Sequence, residues 1–420
     1  MSGLASLLKI RDLRKKIGFT LIMLVVYRLG THVPISGVDL EALGRLFAQG
    51  GVLGFFNLFS GGGLERFSIF ALGILPYINA SIIMQLLAVI WPTLKELAEE
   101  GDSGRKQIAQ YTRYLAILLA FVQGTVMAIG FRQFLSPGVS FMPFLFYAVI
   151  GLVAGASLVM WLGELITEHG IGNGASVLIF IGIIAAMPLY IKNTYVLVQG
   201  GASLIGVSIL IAVFLAMIVS IVFVQEAERK VPVQYAKKVV GRKVHGGQST
   251  YIPLRLIQGG VMPIIFASAV MQFPLMFLSV IKVEAIQNFF SVHYQYDGLL
   301  YNGVFCVLIF FFAYFYTAIT FNPEELADNI KKYGGFIMGV RPGKSTVEFL
   351  EKIITKLTLV GAVFLSFVAL VPVLAANFTK VTSFMGLGGT ALLIIVGVAM
   401  DLVKQIETFV IAKKYDGLLN

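Results

Sequence analysis

Charge is what this chain of 420 residues has least of. Asp, Glu, Lys and Arg together make up 13% of it, against about a quarter in soluble domains. With 58% hydrophobic residues and a mean hydropathy of +0.87, that shortage excludes a soluble globular protein and a disordered one. An outer-membrane barrel is disfavoured on the same ground, because alternating apolar and polar residues keep its mean hydropathy low. The single cysteine, Cys306, rules out an intrachain disulfide framework, and four histidines are too few for zinc sites. There is no H-E-x-x-H, G-x-S-x-G or C-x-x-C, so no catalytic site, metal or cofactor is expected. The small charged fraction is lopsided, with 32 basic residues against 22 acidic, a net +10. Such an excess suits a nucleic-acid partner or the positive-inside bias of a membrane protein, and the positions of the charges decide between them.

A membrane span needs about 20 mostly apolar residues. Ten stretches qualify: Ile17–Val33, Phe70–Trp91, Tyr114–Phe131, Phe141–Gly163, Gly174–Tyr190, Leu204–Val224, Gly259–Val280, Leu300–Phe321, Leu357–Leu374 and Ser383–Met400. The first carries Arg28 and His32 and is followed by Pro34 rather than a small-residue cleavage site, so it reads as an uncleaved span. With the amino terminus in the cytoplasm, 25 basic residues fall inside and 7 outside, which orients the chain with both termini cytoplasmic. Spans two to ten contain no Asp, Glu, Lys, Arg or His. A proton- or cation-coupled relay normally needs such groups within the membrane.

The loop Ile191–Ser203 divides ten spans into five and five. Five is odd, so the second set starts on the opposite side from the first, and a structural repeat between them is an inverted one. This gives an amino-terminal half (1–192), a carboxyl-terminal half (203–404) and a cytoplasmic tail (405–420). Two cytoplasmic loops, Gln225–Gln258 and Asn322–Lys356, are long, basic and rich in strand and turn formers. They read either as orientation signal alone or as a docking surface for an anionic partner. Gly241-Arg242-Lys243 puts two cations at a loop tip, and Arg341-Pro342-Gly343 is a second tight turn. Gly343-Lys344-Ser345 ends like a phosphate-binding loop, but Met338 stands where the first glycine belongs, and neither a preceding buried strand nor an acidic strand is expected. Gly170-Ile171-Gly172-Asn173-Gly174 reads as a turn opening a helix.

The segment Gly50–Phe67 is apolar but too short and too glycine-broken to span. It is either an interfacial helix or a re-entrant segment lining a cavity, hinged at Gly61, Gly62 and Gly63. In span two, Ile74, Ile78, Ser81 and Gln85 fall on one helical face, apolar at one end and polar toward the cytoplasm.

The stretches NLFSGGGLERFSIFALGILPYINASIIMQLL, GDSGRKQIAQYTRY, WLGELITEHGIGNG, VPVQYAKKVVGRKVHGGQSTYIPLRLIQGGVMPIIFAS, FNPEELADNIKKYGGFIMGVRPGKST and GTALLIIVGVAMD resemble the bacterial SecY family, the large subunits of the protein-conducting channel. The resemblance runs from about Leu13 to the carboxyl end. It implies an all-α membrane protein of ten transmembrane helices in two pseudo-symmetric inverted five-helix halves. It implies the central pore of the Sec translocon in the bacterial inner membrane, passing unfolded secretory polypeptides across and releasing hydrophobic segments sideways into the lipid bilayer. The implied partners are SecE- and SecG-type small membrane subunits, the SecA motor ATPase, the ribosome, and signal sequences with their unfolded preproteins.

By the same resemblance a plug covers Phe56, Asn57, Leu58, Phe59, Ser60, Gly61, Gly62, Gly63, Leu64, Glu65, Arg66 and Phe67. A hydrophobic ring falls on Ile74, Ile78, Ala175, Ile179, Ile265 and Ile394. Larger aliphatics are commoner at the position of Ala175, so the ring is expected to be looser there. Arg242 and Lys243 match the loop-tip contacts, and Arg341 the arginine needed for motor-dependent translocation. Polarity within spans two, three and seven assigns Asn79, Gln85, Gln123, Ser268 and Gln272 to a lateral gate. The rival classes are a secondary transporter of a small solute and a membrane-embedded enzyme. The uncharged spans and large basic loops disfavour the first, and the missing catalytic constellation disfavours the second.

Overall fold

In the computed structural model, described residues are 10–48, 52–201, 203–235, 238–240, 243–245, 249–278, 283, 288–290, 293–295, 298–379 and 388–419. A helix stands at each of the ten predicted spans: Arg11–Gly30, Leu75–Ile90, Asp102–Gly130, Phe141–His169, Gly174–Gln199, Leu204–Glu226, Met262–Leu278, Leu299–Thr320, Lys344–Thr379 and Gly389–Leu419. Among the described residues, seven meet the length and hydropathy of a membrane crossing unaided. The exceptions have local causes. Span one is diluted by the charges that flank it. Span seven is short, with 17 residues in its helix.

Span two differs most from expectation. Its helix starts at Leu75 rather than Phe70 and has 16 residues, or about 24 Å at 1.5 Å per residue. Gly73 holds a left-handed φ of 56° and Pro76 sits in the first helical turn, so Phe70–Ile74 cannot join the helix. Those five residues are all buried, which is where irregular backbone at membrane depth is tolerated. Past Ile90 the chain bends by 105° into a short helix, Pro92–Ala98. Several other helices outrun their predicted spans. The tenth continues to Leu419, so the expected border at residue 404 falls inside an unbroken helix.

Packing repeats between the halves. Span two lies on three, three on four, four on five, one on four and one on five; in the same way seven lies on eight, eight on nine, nine on ten, six on nine and six on ten. The halves meet where span seven touches spans two and three, and where span ten touches span five. One apolar core runs through both halves. Between spans seven and eight, Tyr294 donates to the Met271 carbonyl at 3.1 Å. Burial pushes its phenol up to about 12, so it remains a donor across physiological pH.

The two long loops fold together. Strand β1 (Glu228–Tyr235) pairs antiparallel with β4 (Ser249–Arg255) and, on its other edge, with β5 (Gly335–Ile337), which comes from the second loop. Between β1 and β4, β2 (Lys238–Val240) and β3 (Lys243–His245) form a separate hairpin. Alternation along β1 turns Val231 and Val233 inward, where they join Leu254, Ile330 and Ile337. Leu350, Ile353 and Ile354, from the start of span nine's helix, complete this small core. Strand β5 precedes Gly343-Lys344-Ser345, but it is a partly exposed edge strand antiparallel to β1, not the buried strand that a phosphate-binding loop follows. Strand β5 is three residues long and belongs to this platform.

Candidate functional site

The predicted ring residues come from four separate helices and the residue capping one of them. Ile74 caps the helix of span two, and Ile78 lies on its first turn. Ala175 and Ile179 lie on the first turns of span five, after Asn173 caps it by accepting from the Ser176 N–H at 3.3 Å. Ile265 sits in span seven and Ile394 in span ten. Ile74, Ile78, Ala175, Ile179 and Ile265 all line one cavity of about 400 Å³. Ile394 is fully buried in the same apolar core but is not among the residues lining that cavity. Ala175 is half-buried while the four isoleucines around the cavity are buried, in keeping with its smaller side chain.

The cavity is graded along span two. Ile74 and Ile78 stand at its apolar end, and Ser81 and Gln85 at its polar end. The distance from Ile74 to Gln85 is about 16 Å along the helix axis. The Gln85 amide donates to the Ser81 hydroxyl at 3.2 Å. Here the structure adds a feature that sequence inspection missed: Arg113, just before span three, pairs with Glu164, just after span four, at 2.7 Å, and both line the cavity. The signal for it was a lone cation and a lone carboxylate at adjoining span ends. Glu168 lines the cavity as well. Charge thus sits at the polar rim and isoleucine at the other end.

The segment after span one is inserted into the bundle. Its helix, Val52–Phe59, packs on span five. Leu58, Phe59, Ser60, Leu64 and Phe67 are buried; of Phe56 only the backbone is described. The segment is closed on itself by side chains. Asn57 donates to Glu65 Oε2 and accepts from the Glu65 N–H, both at 3.0 Å. Ser60 donates to the Asn57 carbonyl at 3.1 Å and accepts from the Leu64 N–H at 3.0 Å. Gly61 and Gly62 take left-handed φ of 64° and 84°, and Gly63 does not. Gly182 of span five allows the close approach: a Cβ there would lie 2.8 Å from the Leu58 carbonyl. Phe67 also takes a left-handed φ, 43°, and is held there between Phe131 and Phe144.

The predicted gate residues lie on the three helices that meet at the seam. Asn79, Gln123 and Ser268 are buried, whereas Gln85 and Gln272 are half-buried. Ser268 satisfies its hydroxyl within its own helix by donating to the Ile264 carbonyl. Both side-chain polar atoms of Asn79, Oε1 of Gln85 and the amide nitrogen of Gln123 have no hydrogen-bond partner. An unpaired buried polar group costs about 1–3 kcal/mol, so this seam is less stable than an apolar one of the same shape.

Of the predicted docking residues, Arg341 is exposed on the turn between β5 and span nine, with its carbonyl accepting from the Thr346 hydroxyl at 3.0 Å. Gly339 and Gly343, both at left-handed φ, flank it. Arg242 lies outside the described residues. Lys243 opens β3, and its side chain is not described. Lys243 pairs with Val240 across that hairpin.

A family model described as SecY matches residues 68–403. Protein translocase subunit SecY of Thermotoga maritima is 44% identical over 98% of this chain and 96% of its own length. Its Thermus thermophilus counterpart is 44% identical over 99% and 97%. Among solved structures, one of a protein-conducting channel matches with a TM-score of 0.67 at 20% identity, over 94% of this chain and 92% of that one. Sec61 in the canine ribosome–channel complex matches with a TM-score of 0.61 at 19% identity, over the same shares.

Proposed function

The chain belongs to the SecY family of protein translocase subunits, and from that premise we propose how its residues carry unfolded polypeptide through a sealed membrane. Ile74, Ile78, Ala175, Ile179, Ile265 and Ile394 form the constriction. Water is unfavourable in a narrow aliphatic neck, so ions that must keep their hydration are excluded without any fixed charge. Branched side chains also yield around a passing chain of any sequence. Residues 56–67 are the plug beneath it. The observation that carries this reading is the convergence of five of those residues, from three helices and one helix cap, on one cavity graded from polar to apolar.

Sideways release needs a wall that opens. The seam between spans two and three and span seven is the gate, and its unpaired Asn79, Gln85 and Gln123 groups limit what the closed state gains by closing. At about 1–3 kcal/mol for each buried group left unpaired, the closed state is held weakly enough for an arriving signal helix to offset. The two halves, 1–192 and 203–404, move relative to one another about the loop between spans five and six. Both termini and the β1–β5 platform face the cytoplasm of a bacterium, with the channel in its inner membrane. The platform takes the driving partner: Arg341 engages the SecA motor, and Arg242 and Lys243 meet ribosomal RNA. SecE- and SecG-type subunits complete the complex. The chain supplies the passage, and those partners supply the energy.

The test is reconstitution. The complex in proteoliposomes, given motor, ATP and an unfolded precursor, should protect that precursor from added protease. Uptake of a small solute with no protection of the precursor would favour the transporter reading instead.

A further inference from the structure

Arg28 is the only Asp, Glu, Lys or Arg within the ten predicted spans, and it has a definite partner. Its Nη1 donates to the Gly61 carbonyl at 2.7 Å. Among the described residues it forms no ion pair with a carboxylate. Gly61 lies two residues past the end of the Val52–Phe59 helix, near the negative end of the helix dipole, where a cation is favoured. A charge-assisted bond of this length is among the stronger hydrogen bonds.

The surroundings separate a fixed end from a movable body. At the fixed end Phe67 and Ser68 are clipped to the chain after span one: the Ile35 N–H donates to the Phe67 carbonyl at 2.9 Å, and the Ile69 N–H to the Val33 carbonyl at 3.0 Å. The body, from Asn57 to Glu65, is tied to itself by the Asn57–Glu65 clasp. Its packing against span five is apolar and glycine-mediated. Arg28 adds a charged tie from span one. The same turn grips the approach to span two, because Tyr27 stacks on Phe70 at 6.0 Å, and Gly30 lies so close to the Phe70 ring that a Cβ would collide with it. Arg66, in the same segment, is exposed.

We infer that Arg28 is the latch of the plug: a positioning residue whose guanidinium holds the Gly61 carbonyl while the channel is at rest and lets go when the turn carrying it shifts with Phe70. This inference rests on reading residues 56–67 as the plug. It predicts a graded series. In the reconstituted complex, idle ion conductance and transport of a signal-defective precursor should both rise with Arg28→Ala. Arg28→Gln should fall between Ala and the parent, and Arg28→Lys should stay near the parent. Loss of one charged tie corresponds to a shift of about tenfold or more in the closed-to-open ratio of the plug.

Deleting residues 57–66 separates the two claims. If Arg28→Ala raises conductance in the parent and adds nothing to the deletion, the latch stands. If the deletion leaks while the Ala, Gln and Lys variants all match the parent, the latch is wrong and the plug reading survives. If the deletion itself leaves conductance unchanged, the plug reading fails. An Arg28→Ala leak that adds fully to that of the deletion would place Arg28 in the wall of the pore and overturn the latch.

Discussion

The two halves of the molecule repeat one pattern of helix packing and spend their extra residues at opposite ends of it. The first half, between spans one and two, inserts a short apolar helix among its own helices. The second half carries its extra length in two loops on the other side, which pair through β1 and β5 into a charged platform with a core of its own. The difference teaches a division of labour. On the proposed roles, the seal at membrane depth relies on buried aliphatic side chains, whereas the surface that receives outside partners is charged and exposed. An inverted repeat supplies both by elaborating equivalent hairpins that face opposite sides.

Breaking the platform without touching the seal should have the largest effect. Arg341→Glu should abolish motor-driven translocation, read as loss of protease-protected precursor, while the complex still assembles and its idle conductance stays at the parent level. Breaking the seal without touching the platform should do the reverse. Ile394→Asn puts an amide among apolar side chains that are fully buried at this position, lowering the dewetting barrier. Idle conductance should rise severalfold and signal-defective precursors should pass, with motor affinity unchanged.

A third change tests whether the platform is a folding unit anchored on span nine. Leu350 is fully buried between the sheet and that helix, so Leu350→Ala should destabilise the platform by about 2–5 kcal/mol. Limited proteolysis should then cut the loops faster while the bundle stays intact. The smallest effect belongs to Arg242→Glu with Lys243→Glu. Ribosome affinity should fall, and its logarithmic salt dependence should become shallower by about 1.4–1.8, the share of two cations on phosphate.

Much of this division can be read from residues alone. Span-length apolar runs locate ten helices, and the bias of basic residues separates loop from membrane. The helical face of Ile74, Ile78, Ser81 and Gln85 does line a single cavity. Three features are harder to read, each for a physical reason. The irregular Phe70–Ile74 is as apolar as a helix would be, and only Gly73 and Pro76 hint at its break. The β1–β5 pairing joins residues about a hundred positions apart, and three-residue strands carry little periodicity. The Arg113–Glu164 pair depends on which helix ends adjoin, which hydropathy does not report. The assignment of all six residues to a ring rests on family resemblance; the spans of Ala175, Ile179, Ile265 and Ile394 give no periodic signal that singles them out.

The central claim is that unfolded polypeptide passes through the cavity between the halves, at the isoleucine end. A photocrosslinking residue placed in a precursor stalled midway through the reconstituted channel tests it most directly. The account predicts adducts at Ile78 and Ile179, lost when the precursor is released. Adducts confined to exposed outer positions such as Phe223 of span six, with none at the cavity, would contradict it.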